Sequence, residues 1–137
     1  MENGLEMLGV VDVAPLDVAG AASAIAARDP GAPFAYVVTL NAQILILCAD
    51  PQGPMIQAAR TAWLRLNDSR VVARLQRWVN GQELPVAPGS DLCLRLLGEV
   101  LSADDPITVI GGDEALAAAL RQRYGLTRLS LHTPPMG

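Results

Sequence analysis

Phe34-Ala35-Tyr36-Val37-Val38-Thr39-Leu40, followed at once by Asn41-Ala42-Gln43, is the stretch that decides the fold. Its first seven residues mix aromatic and β-branched side chains in a run with little polarity, the composition of a strand covered on both faces. A helix is predicted next, from about Ala42 to Ala49, until Asp50-Pro51-Gln52-Gly53-Pro54 breaks it. A second helical stretch runs from Met55 to about Thr61. Ala62 to Leu66 is then a short candidate strand that closes on Asn67-Asp68-Ser69.

The same alternation extends in both directions. Toward the amino end, Leu8 to Val13 is an apolar run that fits one buried strand, and Asp17 is placed to cap an Ala-rich helix through about Arg28. Toward the carboxyl end, Arg70 to Val79 has helical spacing. Val71, Val72, Leu75 and Trp78 are expected to form its packed face, and Arg70, Arg74 and Arg77 its solvated one. Asn80 to Pro88 is a loop by its Gly81, Pro85 and Pro88, and Ser90 suits the cap of a helix through about Leu101. Ile107 to Ile110 is β-branched, and Gly111-Gly112 leads into a helix from Asp113 to Tyr124. Gly125 ends that helix before a last strand, Leu126 to Leu131. Alternating strands and helices define an α/β chain with a doubly wound, mainly parallel sheet and helices on both faces, here a single domain over residues 1–137.

Composition narrows the function. With 137 residues, 51% of them apolar, the chain has material for one packed domain, built from Ala, Leu and Val because aromatics are only 4%. A net charge of −4 without a basic cluster argues against nucleic acid. All ten basic residues are Arg, which reflects either genome composition or a need for planar phosphate-gripping forks. Cys48 and Cys93 each lie in an apolar run and are expected to be buried thiols. His132 is the only histidine and lies far from both in sequence, so no metal or other cofactor is expected. Asp12, Pro15 and Asp17 interrupt the apolar amino-terminal stretch, which points to a cytoplasmic protein without a signal peptide or spanning helix.

In open α/β sheets ligands bind beyond the carboxyl ends of the strands. That rule selects Thr39 with Asn41 and Gln43, Asn67 with Asp68, Gly89 with Ser90 and Asp91, and Gly111 with Gly112. Asp68 is either a general base for an attacking hydroxyl or an ordinary turn residue. Gly111-Gly112 either lets the backbone approach a phosphate or simply makes a tight strand-to-helix turn. Ser90 and Asp91 are equally explained as a cap and a helix-dipole partner.

Read in order, these clusters resemble the WecG/TagA/CpsF family of bacterial glycosyltransferases. The matching residues are Val37 through Gln43, then Asp68, then Pro88-Gly89-Ser90-Asp91-Leu92, then Val109-Ile110-Gly111-Gly112 followed by a helix with Arg123-Tyr124. Leu8-Gly9-Val10 also looks like the family's first strand. The resemblance implies a Rossmann-like fold and an inverting transfer of an N-acetylmannosamine-type sugar. The implied donor is a UDP-linked N-acetylhexosamine and the implied acceptor a lipid-linked saccharide, in wall-polymer or surface-polysaccharide synthesis. It implies Asp68 as base with Thr39 beside it in the catalytic pair. Asn41, Gln43, Gly89, Ser90, Asp91, Gly111 and Gly112 would then bind substrate.

Two departures stand out. Members usually carry Asp-Gly where this chain has Asp68-Ser69, and a basic residue and Thr where it has Ala87-Pro88. Members also continue beyond the equivalent of Pro134-Pro135-Met136-Gly137 into further strands and helices with a Pro-Lys-Gln-Glu-like motif, so a truncated form of the fold is expected. An uncovered sheet edge or face would favour a homo-oligomer, and the complete form is expected to associate peripherally with the inner face of the membrane. The alternative function is a catalytically inactive binding or scaffolding domain derived from the same fold.

Overall fold

The computed structural model describes residues 4–136 and divides into two compact units, Met1–Cys93 and Leu94–Gly137. The first unit opens with an antiparallel hairpin of β1 (Leu5–Met7) and β2 (Val11–Val13), where the apolar run had suggested one strand from Leu8 to Val13. The run is interrupted by a turn that hydropathy does not reveal. Leu8 and Gly9 have φ of 48° and 73°, and the Val10 amide donates to the Met7 carbonyl at 3.1 Å. Two successive left-handed residues suit the right-handed twist of a two-stranded ribbon, although Leu is an uncommon occupant of that region.

Helix α1 (Val18–Ala26) is capped as expected by Asp17, whose Oδ1 accepts the Gly20 amide at 2.8 Å. Strand β3 (Val37–Leu40) starts later than its composition suggests, and Phe34 stands exposed rather than covered. After α2 (Ala42–Cys48) and α3 (Pro54–Thr61), β4 (Leu64–Asn67) pairs parallel to β3 in a register that sets Val37 against Leu64 and Leu40 against Asn67. Arg65 joins these elements. Its Nε donates to the Asp12 carbonyl at 2.7 Å, and its Nη1 lies within hydrogen-bonding distance of the Ala59, Arg60 and Ala62 carbonyls at the end of α3. The core of the unit gathers Met7, Val13, Leu40, Ile56 and Val72 from strands and helices alike.

Helix α4 (Arg70–Asn80) is helical as expected and ends on Gly81 at φ 71°, but it packs on a different side. Val72 and Gln76 face the interior, while Val71, Leu75, Trp78 and Val79 are exposed. Apolar spacing locates a stripe but not the surface it meets. Here a buried polar group fixes the helix rotation. Gln76 Oε1 accepts the Leu8 amide at 2.8 Å, and its Nε2 donates to the Glu6 carbonyl at 2.6 Å, so one side chain ties α4 to the strained hairpin turn.

Helix α5 (Gly89–Arg95) passes into a π-helical turn (Leu96–Val100) instead of continuing as α-helix to Leu101. In the second unit, β5 (Ile107–Ile110) pairs parallel with β6 (Leu129–His132). Between them in sequence, α6 (Glu114–Tyr124) buries Ala117 with Leu126 and Leu129, and Gly125 at φ 64° closes it. Strands alternating with helices and two parallel strand pairs make this an α/β, Rossmann-like fold.

The two thiols differ. Cys48 is buried in the first core and its pKa is raised by desolvation. Cys93 is exposed, contrary to expectation, because Leu92 is the residue that α5 turns into the core.

Candidate functional site

The carboxyl ends of β3 and β4 lie side by side, and their ladder is prolonged by one bond from the Asp68 amide to the Leu40 carbonyl at 3.0 Å. That bond sets Asp68 just beyond the last strand residue, with its carboxylate half-exposed. Oδ2 accepts the Gly89 amide at 3.3 Å, while Oδ1 makes no hydrogen bond among the described residues. Gly89 in turn lies against Thr39: a Cβ at position 89 would stand 2.8 Å from Thr39 Oγ1. Thr39, Asp68 and Gly89 therefore meet, although they come from three separate segments of chain.

Asn67, which the sequence selects alongside Asp68 without giving it a role, holds this meeting point together. Its side chain is fully buried. Oδ1 accepts the Ser69 amide at 2.9 Å, and Nδ2 donates to the Ser69 and Pro85 carbonyls at 3.1 and 3.3 Å. Its own carbonyl accepts the Ala87 amide at 2.7 Å. One residue thus fastens the end of β4 to the start of α4 and to the loop that delivers Gly89. The available signal was an amide side chain ending an otherwise apolar strand, where burial demands a full set of partners.

Ser69, where the resemblance implied a glycine, has φ −111° and ψ 116°. This is extended backbone open to any residue, so the substitution causes no strain. The Ser69 hydroxyl accepts the Val72 amide at 3.1 Å and caps α4.

The remaining residues selected from sequence sit at helix starts. Asn41 caps α2, with Oδ1 accepting the Ile44 amide at 2.9 Å, and Gln43 is exposed in that helix's first turn. Ser90 and Asp91 are exposed in the first turn of α5. Gly111 and Gly112 belong to the second unit, with φ of 89° and 81°, a conformation that side chains rarely adopt. This gives the pair a conformational requirement of its own. At the start of the following helix the Leu116 amide is already bonded to Asp113 Oδ1 at 2.9 Å.

Two clefts of about 200 and 230 Å³ in the first unit border the hairpin turn and share Gly9, Val10 and Arg60. Neither is lined by Thr39, Asp68 or Gly89. Among the described residues no group of three or more His, Cys, Asp or Glu side chains is arranged to hold a metal ion.

The chain thus has a Rossmann-like α/β fold with a half-exposed carboxylate, Asp68, just beyond two adjacent strand ends, the place where such sheets bind ligands. The particular family follows from comparison with known proteins: the model of the glycosyl transferase WecG/TagA/CpsF family matches residues 5–137, and the chain belongs to that family. No curated protein and no solved structure matches it.

Proposed function

We propose that this glycosyltransferase moves an N-acetylmannosamine-type sugar from a UDP-linked donor to a lipid-linked saccharide acceptor, in the synthesis of a bacterial wall polymer or surface polysaccharide. The whole chain acts as one transferase domain on the cytoplasmic side of the membrane. The observation that carries the reading is the Gly89 amide bonded to Asp68 Oδ2 beside Thr39, which orients the carboxylate and leaves Oδ1 to accept a proton.

In the proposed reaction the acceptor hydroxyl donates its proton to Asp68 Oδ1 as its oxygen attacks the anomeric carbon. The bond between that carbon and the diphosphate breaks, UDP departs with the electron pair, and the anomeric configuration inverts. Thr39 Oγ1 makes no hydrogen bond among the described residues and supplies a donor and acceptor for a sugar hydroxyl at the same place. Asn41, Gln43, Ser90 and Asp91 present polar groups at the helix starts for the rest of the substrates. Gly111 and Gly112 let backbone approach the nucleotide.

Transfer from UDP-N-acetylmannosamine to a lipid-linked acceptor tests the proposal. Asp68→Asn is expected to lower turnover by about 10²- to 10⁴-fold, the usual contribution of a general base, with the circular dichroism spectrum unchanged. Retention of full turnover by Asp68→Asn would remove Asp68 from the chemistry. A wild-type chain that folds but neither binds nor turns over the donor would instead favour the binding-domain alternative.

A further inference from the structure

Four charged side chains line the first of the two clefts beside the hairpin turn: Glu6, Asp12, Arg60 and Arg65. Glu6 and Asp12 stand directly opposite each other in the β1–β2 ladder, so both carboxylates project from one face of the hairpin. Like charges in that position repel, and the pair weakens the hairpin unless a cation meets it. Arg60, at the end of α3, and Arg65, in β4, border the same cleft. Neither forms an ion pair with Glu6, with Asp12 or with any other described residue.

The charged ends are also left without hydrogen bonds. Outside helix and ladder, Glu6, Asp12 and Arg60 are bonded only through their backbone carbonyls, which accept from Gln76 and Arg65. Arg65 differs, since its Nε and Nη1 are spent on carbonyls while Nη2 has no partner among the described residues. Those bonds hold its guanidinium in place beside the cleft, which lowers the ordering cost of any ligand that meets it. Two acidic and two basic groups thus share one space of about 200 Å³ without neutralising one another.

We infer that this cleft binds a small zwitterion, a molecule carrying a primary ammonium and a carboxylate on a short carbon frame. The ammonium supplies donors to Glu6 and Asp12 and separates their charges. The carboxylate accepts from Arg60 and from Arg65 Nη2. A simple anion would leave two carboxylates opposed across the ladder, and a simple cation would leave two guanidiniums unmet. Size sets the class further, because about 200 Å³ lies below the roughly 300 to 1,000 Å³ of pockets for drug-sized ligands and suits a molecule of amino-acid size rather than a nucleotide sugar. Thr39, Asp68 and Gly89 do not line the cleft, so its ligand is not the substrate of the proposed transfer.

The test uses the full chain at low salt, with glycine, β-alanine and 4-aminobutanoate as zwitterions of increasing length and with acetate and methylammonium as the two half ligands. Calorimetry and the NMR amide shifts of Gly9 and Val10, which line the cleft, report binding. At least one zwitterion is expected to bind with a Kd on the order of 1 mM, within reach of a ligand with few heavy atoms. Each half ligand should bind at least about tenfold more weakly, as should the best zwitterion to Arg60→Gln, the effect of losing one charge-assisted bond. Glu6→Gln should weaken the zwitterion similarly yet strengthen acetate, because it removes a repelling charge.

Asp68→Asn should bind the zwitterions like wild type, so failure of the transfer proposal and failure of this one are separable. Absence of any Gly9 or Val10 shift at about 10 mM of every zwitterion, tenfold above the expected Kd, would overturn the inference. So would acetate or methylammonium binding as tightly as the best zwitterion, which would make the cleft a plain anion or cation site. Glu6 and Arg60 are exposed, and both variants should fold. If either does not, the comparison of zwitterions with half ligands on wild type decides the question.

Discussion

Asn67→Ala is the most informative single perturbation of the site framework, because it removes three hydrogen bonds from a fully buried position without touching Asp68. The Ser69 amide loses its acceptor, and the Ser69 and Pro85 carbonyls lose a donor. At about 1 kcal/mol net per bond the loss is about 3 kcal/mol, which corresponds to a fall in Tm on the order of 10 °C for a chain of this size. Thermal and urea unfolding followed by circular dichroism would measure it. The Gly89 amide resonance, compared by NMR with and without Asp68→Asn, should also lose its response to Asp68 once the loop is released. A loss under about 1 kcal/mol, with the Gly89 response intact, would refute the clamp, because water would then be substituting for the amide at little cost.

The companion Asn67→Asp separates donor from acceptor. An ionised Asp keeps an oxygen for the Ser69 amide but cannot donate to Pro85, whereas the protonated acid can. Burial should raise the folded-state pKa of the introduced acid above its unfolded value. The native state is then favoured below the unfolded pKa, and stability falls as pH rises through the folded one.

Gly89→Ala is expected to push Thr39 and break the Gly89–Asp68 bond. It should lower transfer at least tenfold while costing only about 1 to 3 kcal/mol of stability, the usual range for overpacking, measured by parallel assay and melting. Gln76→Ala should destabilise the first unit by about 2 to 4 kcal/mol in urea unfolding, because it leaves the Leu8 amide and Glu6 carbonyl without partners at a turn where Leu8 is already left-handed. A thiol reagent should modify Cys93 quickly in the native protein and Cys48 only on unfolding. Because burial raises the pKa of Cys48, its contribution to stability is intact below the ordinary thiol pKa and declines as pH rises above it, which unfolding measured in Cys93→Ser would show.

Much of the fold was legible in local sequence because local physics fixes it. Asp17 caps α1, Gly125 ends α6, and Val37 to Leu40 form a strand, all from residue chemistry that acts within a few positions. The order of Thr39, Asp68, Gly89 and the Gly111-Gly112 pair was likewise enough to point to the family. Direction in space was not legible. The run from Leu8 to Val13 is apolar whether it is one strand or half of a hairpin, and only pairing with Leu5–Met7 decides between them. The stripe on α4 has helical spacing whether it faces core or solvent, and its rotation is set by Gln76 bonding to residues about 70 positions away.

The same limit applies at the candidate site. The sequence by itself determined that Thr39 and Asn67 stand at strand ends, since strand composition and breakers are local, whereas Gly89, Ser90 and Asp91, selected by the same rule, follow a loop and open a helix. The tertiary structure alone decided that Gly89 touches both Thr39 and Asp68, and that Asn67 rather than Asp68 makes most of the bonds there. Those contacts join segments about 20 to 50 residues apart, and no local preference encodes a distance across the fold.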